Sequence, residues 1–114
     1  MKTRKIDNRG ELEKAIQGKE PRLVLFYSDY CPFCTSLLPS FEKTADRAPE
    51  RFLKACVDGP DALDDLFAVE VVPSVLCFSG GKLARRLDGR LGRGLSPDAL
   101  DTFAADCLAG GAGK

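Results

Sequence analysis

Cys31 and Cys34, separated by Pro32 and Phe33, lie just after the apolar run Leu23-Val24-Leu25-Phe26-Tyr27. Two thiols at this spacing form a dithiol that can close to a disulfide and reopen. If the run is a buried strand and a helix starts at Pro32, Cys31 sits at the helix N-terminus. There the spare backbone N–H groups and the helix dipole favour thiolate over thiol. A thiolate attacks disulfides, so the chemistry expected is thiol–disulfide exchange. Cys31 is the expected nucleophile. Cys34 is the resolving thiol, because residues three apart share a helix face. The chain contains no histidine, so no Cys–His pair can activate the sulfur. Pro32 suits the first helical turn, where its missing N–H costs nothing. Phe33 offers an aromatic face beside the site. A structural disulfide or half of a metal site are the other readings of the pair, and the remaining cysteines are not spaced to complete a zinc site.

The elements around the pair alternate. Thr3 to Ile6 reads as a short strand, Gly10 to Gln17 as a helix through Leu12, Ala15 and Ile16, and Arg22 to Ser28 as a central strand buried on both faces. Pro32 to about Ala48 carries Leu37, Leu38, Phe41, Ala45 and Ala48 on one helical face, with Pro39 expected to kink it. Arg51 to Val57 reads as a third strand. Asp61 to Ala68 reads as a short helix with Leu63, Leu66 and Phe67 inward. Pro73 to Ser79 and Lys82 to Asp88 form a hairpin around Gly80-Gly81, with an uncertain register. Ser96-Pro97-Asp98 starts the last helix, which carries Leu100, Phe103, Ala104, Cys107 and Leu108 inward and stops at Gly110-Gly111. The order β-α-β-α-β-α-β-β-α implies an α/β fold with a central mixed sheet and helices on both faces. One domain over residues 1–114 is expected, ordered to about 109, with 110–114 as a flexible tail.

Composition narrows the partners. Of 114 residues, 44% are hydrophobic and 30% charged, and 17 basic residues balance 17 acidic ones. No overall field draws in nucleic acid or an anionic membrane. No apolar run approaches the ~20 residues of a membrane span. Met1 to Ile6 is charged, but no apolar stretch follows to make a secretory signal. The five cysteines are odd in number and not spaced as a disulfide framework, so a reducing, cytoplasmic setting is expected. Cys56, Cys77 and Cys107 fall in predicted strands and on an apolar helix face and are expected as free, buried packing residues. Lys82, Arg85, Arg86, Arg90 and Arg93 are expected to form a solvated edge that discourages strand association, with a docking patch for an acidic partner as the other reading.

The chain resembles the thioredoxin family over nearly its whole length. The landmarks are Cys31-Pro32-Phe33-Cys34 after the central strand, Pro39 in the following helix, Val72-Pro73, then Phe78, Gly81 and Gly89, and the third-strand stretch Lys54-Ala55-Cys56-Val57-Asp58. The resemblance implies a thioredoxin fold and reduction of protein disulfides by Cys31 and Cys34, with no cofactor and no metal. It implies a monomer supplied with electrons by a thiol reductase or glutathione. It places Pro73 opposite the dithiol as a cis proline, leaving the Val72 backbone free to pair with an extended substrate segment. Lys54 takes the place of the family's buried lysine, Gly89 that of its glycine near the active site, and Tyr30 that of its tryptophan. Leu25 replaces the family's buried carboxylate, so Lys54 lacks that partner and is expected to snorkel to the surface, with a supporting cation that favours the Cys34 thiolate as the other reading. Cys-Pro-aromatic-Cys is similar to glutaredoxins. A glutathione-linked or oxidising enzyme, a non-catalytic binding module and a bridged iron–sulfur cluster are therefore kept as alternatives.

Overall fold

A computed structural model describes residues 3–110. Five strands form one sheet in the order β1-β3-β2-β4-β5: β1 (Arg4–Ile6), β2 (Arg22–Tyr27), β3 (Phe52–Cys56), β4 (Ser74–Ser79) and β5 (Lys82–Leu87). β2 runs parallel to β3 and antiparallel to β4, with Leu25 opposite Lys54 and Val75. Because strand side chains alternate, the central strand feeds two cores. Leu23, Leu25 and Tyr27 pack with Leu37 and Phe41 of α2 (Pro32–Ala45) and Leu100 and Ala104 of α3 (Pro97–Gly110). Val24 and Phe26 pack on the other face with Leu12 and Ile16, the first of them in α1 (Arg9–Ala15) and the second its cap. Burying each such side chain contributes roughly 1.5–3 kcal/mol. This is why β2 reads as an unbroken apolar run.

Local signals set the helix ends. Asn8 caps α1 by accepting from the Glu11 N–H at 2.9 Å. Ser96 caps α3 by accepting from the Ala99 N–H at 3.1 Å. The hairpin turn places Gly80 and Gly81 at φ +62° and +83°, a pair of left-handed positions that suits β4 and β5. The imperfect alternation of that hairpin has a cause: its register shifts between Cys77 and Phe78.

Several expectations are corrected. The helix expected over 61–68 is a single 3-10 turn, Leu63–Phe67, bracketed by left-handed Ala62 (φ 49°) and Ala68 (φ 54°). Those two conformations cut it off before an α-helix can propagate. α2 ends at Ala45 rather than near Ala48, because a 3-10 turn at Pro49–Arg51 leads into β3. The largest correction concerns the sulfurs. Cys77 and Cys107, expected as free thiols, are joined in a disulfide with Cα atoms 6.2 Å apart. α3 packs on the sheet face that carries Leu23, Leu25 and Cys77, so two apolar positions remote in sequence become neighbours. With these two paired, the cysteine count no longer argues for a reducing compartment. Arg86 is not a free edge cation either: it donates to the carbonyls of Phe67 (2.9 Å) and Ala68 (3.3 Å) and pairs with Asp88 at 2.8 Å, tying β5 to the 3-10 turn. Of the tail expected at 110–114, Gly110 belongs to the end of α3 instead, and 111–114 lie outside the described residues.

Candidate functional site

Cys31 is the N-cap of α2, with extended backbone (φ −100°, ψ 116°) and Pro32 in the first helical position. Its carbonyl accepts from the Thr35 N–H at 3.0 Å, the first turn of the helix. Its thiol is half-buried and donates to the Val72 carbonyl at 3.7 Å. The Val72–Pro73 bond is cis. The loop before β4 and the start of α2, about forty residues apart in sequence, therefore meet at one sulfur.

Cys34 lies fully buried one turn on. Its sulfur accepts from the Ser28 N–H at 3.5 Å. Burial pushes the Cys34 thiol up to about 12; the Ser28 N–H works against this, while its hydrogen bond to Cys31 and the charges of Cys31 and Asp58 add to it. Cys34 is therefore a protonated thiol at neutral pH. The two sulfurs differ in access: one reaches solvent, the other sits behind it.

The other expected residues distribute unevenly. Tyr30 is 87% exposed and Phe33 41% exposed, both at the rim. Gly89 is buried, and a Cβ there would collide with the Pro73 carbonyl, so only glycine permits this approach. Its N–H donates to the Ser74 hydroxyl at 3.1 Å, bracing the segment after Pro73. Lys54 does not snorkel. It is 3% exposed and pairs with Glu42 of α2 at 2.7 Å. The same carboxylate accepts from the Thr3 hydroxyl (2.7 Å) and N–H (3.0 Å). Burial alone would raise the Glu42 acid, but the hydrogen bonds from Lys54 and Thr3 overcome it and hold the group at about 2. The acid missing at Leu25 is thus supplied to the lysine from the neighbouring helix, two turns beyond the cysteines.

Ser28 and Asp58, neither of which carries an expected role, also shape the site. Asp58, after β3, accepts from the Ser28 hydroxyl (2.7 Å) and the Asp29 N–H (2.8 Å), and these bonds hold its carboxyl below the usual range. That clamp fixes the turn whose Ser28 N–H faces Cys34. Ser28 directly follows β2 and Asp58 closely follows β3, and these two strands are paired; strand-end polar residues were the available signal. Cys56 is buried beside them, with its thiol 3.4 Å from Asp58. Burial raises that thiol.

The comparisons agree with this arrangement. A family model described as thioredoxin matches residues 4–100. A thioredoxin of Mycoplasmoides gallisepticum is 32% identical over 88 residues, 76% of this chain and 85% of that protein. A protein disulfide-isomerase 1 of Caenorhabditis elegans is 34% identical over 83 residues, 68% of this chain but 17% of that longer protein. In fold, the chain superposes on a thioredoxin of Malassezia sympodialis with a TM-score of 0.82 at 19% identity, covering 94% of this chain and 91% of the other. Fasciola hepatica thioredoxin gives 0.79 at 24% identity, over 90% and 97%. No helix among the described residues is long and apolar enough to cross a membrane. With the fold, the redox-active pair Cys31 and Cys34 and the family match in agreement, the chain belongs to the thioredoxin family of thiol–disulfide oxidoreductases.

Proposed function

We propose that the chain reduces disulfides in partner proteins. The observation that carries this reading is the pairing of a half-exposed Cys31 at the N-cap of α2 with a sealed Cys34 one turn behind it. The Cys31 thiolate attacks one sulfur of the partner's disulfide. A Cys31–partner disulfide forms, and the other partner sulfur leaves as a thiolate that takes up a proton. Cys34 then loses its proton and attacks the Cys31 sulfur. The Cys31–Cys34 disulfide forms and the second partner thiolate is released. Two electrons pass from the dithiol to the partner, and the sulfurs themselves are the redox group. Electrons return from an external dithiol or thiol donor, either a thioredoxin reductase or glutathione. Partner backbone pairs beside Val72 in the manner of an added strand. Leu25 offers no proton acceptor, so the proton of Cys34 departs without a carboxylate in hydrogen-bond contact.

Trapping tests the assignment. Cys34→Ala, mixed with a disulfide-containing protein, accumulates a covalent adduct at Cys31 that dithiothreitol releases. Cys31→Ala gives none. An adduct on Cys56, or equal adducts in both variants, overturns the reading. Equilibration of the parent in glutathione buffers gives the potential of the pair. A potential at the reducing end of the family supports net reduction, and one at the oxidising end replaces it with an oxidase or isomerase role.

A further inference from the structure

Large hydrophobic side chains are exposed at four places among the described residues: Tyr30, Phe33, Leu83 and Leu91. Tyr30 and Phe33 flank Cys31 in sequence. Leu91 is 88% exposed at the tip of a small closed loop, Arg90 to Gly94. The loop is held by its own backbone: the Gly94 N–H donates to the Arg90 carbonyl at 2.9 Å, and the Arg90 N–H to the Gly94 carbonyl at 3.2 Å. Its base is buried against the site. A Cβ on Gly94 would come within 2.7 Å of the Phe33 Cβ, and the residue before the loop, Gly89, lies against the Pro73 carbonyl. The loop thus starts on the cis proline and ends on the aromatic ring between the two cysteines. It forms part of the wall of the dithiol mouth.

The wall is charged as well as apolar. Arg90 and Arg93 are both exposed, and neither joins an ion pair among the described residues, whereas Arg86 on the same stretch is fully engaged. The acids of the site, Asp29 and Asp58, follow the ends of β2 and β3, and Asp58 is already clamped by Ser28 and Asp29. Cations on one side and carboxylates on another give the mouth a polarity that a docked segment would read.

Resting on the reductase reading above, we propose that the Arg90–Gly94 loop selects protein disulfides whose flanking segment carries a carboxylate next to an apolar residue. The apolar side chain packs on Leu91 and Phe33, and the carboxylate meets Arg90 and Arg93.

Two peptide disulfides that differ only in an Asp-Leu or Lys-Leu flank test this. The parent chain reduces the acidic peptide about tenfold faster in kcat/KM at low salt, and the ratio shrinks as salt rises. Arg90→Gln/Arg93→Gln brings the ratio to about one. Arg90→Glu/Arg93→Glu inverts it, a gain that a misfolded variant cannot produce. Affinities for the same peptides with serine in place of cysteine, read by fluorescence anisotropy, follow the same order without any exchange step. Discrimination in binding without reduction of either peptide removes the reductase reading and keeps the loop's role. Reduction of both peptides at equal rates, or a ratio unchanged by the arginine variants, overturns the loop proposal alone.

Discussion

The molecule holds two cysteine pairs in opposite settings. Cys31 and Cys34 are three residues apart, lie at one helix end, and are unbonded. Cys77 and Cys107 are 30 residues apart, lie on β4 and α3, are both fully buried, and are bonded. Exchange needs an attacking thiolate to reach a sulfur. At the first pair the half-buried Cys31 reaches solvent beside the Val72 carbonyl. At the second the sulfurs are sealed between the sheet and α3 beside Leu23, Leu25 and Ala104. The same element serves chemistry in one place and cross-linking in the other, and access decides which. The cross-link closes a 30-residue loop, which constrains the unfolded chain by about 3–4 kcal/mol.

The comparison breaks most sharply at Cys31. Cys31→Ser lowers the rate of protein-disulfide reduction at least ~10³-fold, measured by the fluorescence or turbidity of a reduced substrate. Loss of activity on mutating the sealed pair instead would reverse the roles assigned to the two.

The second effect falls on stability alone. Cys77→Ala/Cys107→Ala lowers unfolding free energy by about 3–4 kcal/mol in denaturant titration, while exchange stays within about twofold of the parent. Under mild reductant, mass spectrometry after alkylation finds label on Cys31 and none on Cys77 or Cys107 until denaturant is added. Label on all of them in the native chain would show that burial does not protect the second pair.

The third effect lies along α2, which carries the reactive pair at its start and Glu42 toward its end. Glu42 has a folded pKa of about 2 against an ordinary 4.5, so the unfolded chain takes up the proton first. Its contribution, on the order of 2–3 kcal/mol, is full above pH 4.5 and is lost as pH falls toward 2. Glu42→Gln destabilises by about 3 kcal/mol near neutrality, because Lys54 is left charged and buried. The variant's stability curve is flatter between pH 4.5 and 2. An identical slope in parent and variant would place the acid sensitivity elsewhere.

The smallest effect sits beside Cys34. Ser28→Ala removes the hydroxyl bond to Asp58, and the Asp58 carboxyl rises toward its ordinary range in an NMR titration. The Ser28 N–H to Cys34 is a backbone bond and survives, so exchange changes by less than about fivefold. A larger loss would show that the Asp58 clamp, and not the backbone alone, positions Cys34.

The reactive pair was legible because its chemistry is local. A strand, a cap and a helix start are neighbours in sequence, and each follows from residue type and period. The sealed pair was not legible, because Cys77 and Cys107 each look like a small apolar residue at an inward position. The Lys54 partner is hidden for a similar reason: the adjacent strand offers only Leu25, whereas Glu42 approaches from α2. The 3-10 turn at Leu63–Phe67 carried helical spacing, but left-handed Ala62 and Ala68 carry no side-chain signature.

By itself, the sequence determined the order of the elements, the strand buried on both faces and the dithiol at a helix N-terminus, since period, capping and burial preference act over a few residues. Only the tertiary structure decided which other remote groups meet: Cys77 with Cys107, Lys54 with Glu42, and the Arg90–Gly94 loop with Phe33. Those contacts depend on how helices settle on the sheet, and packing geometry, unlike periodicity, is not written in any one stretch of the chain.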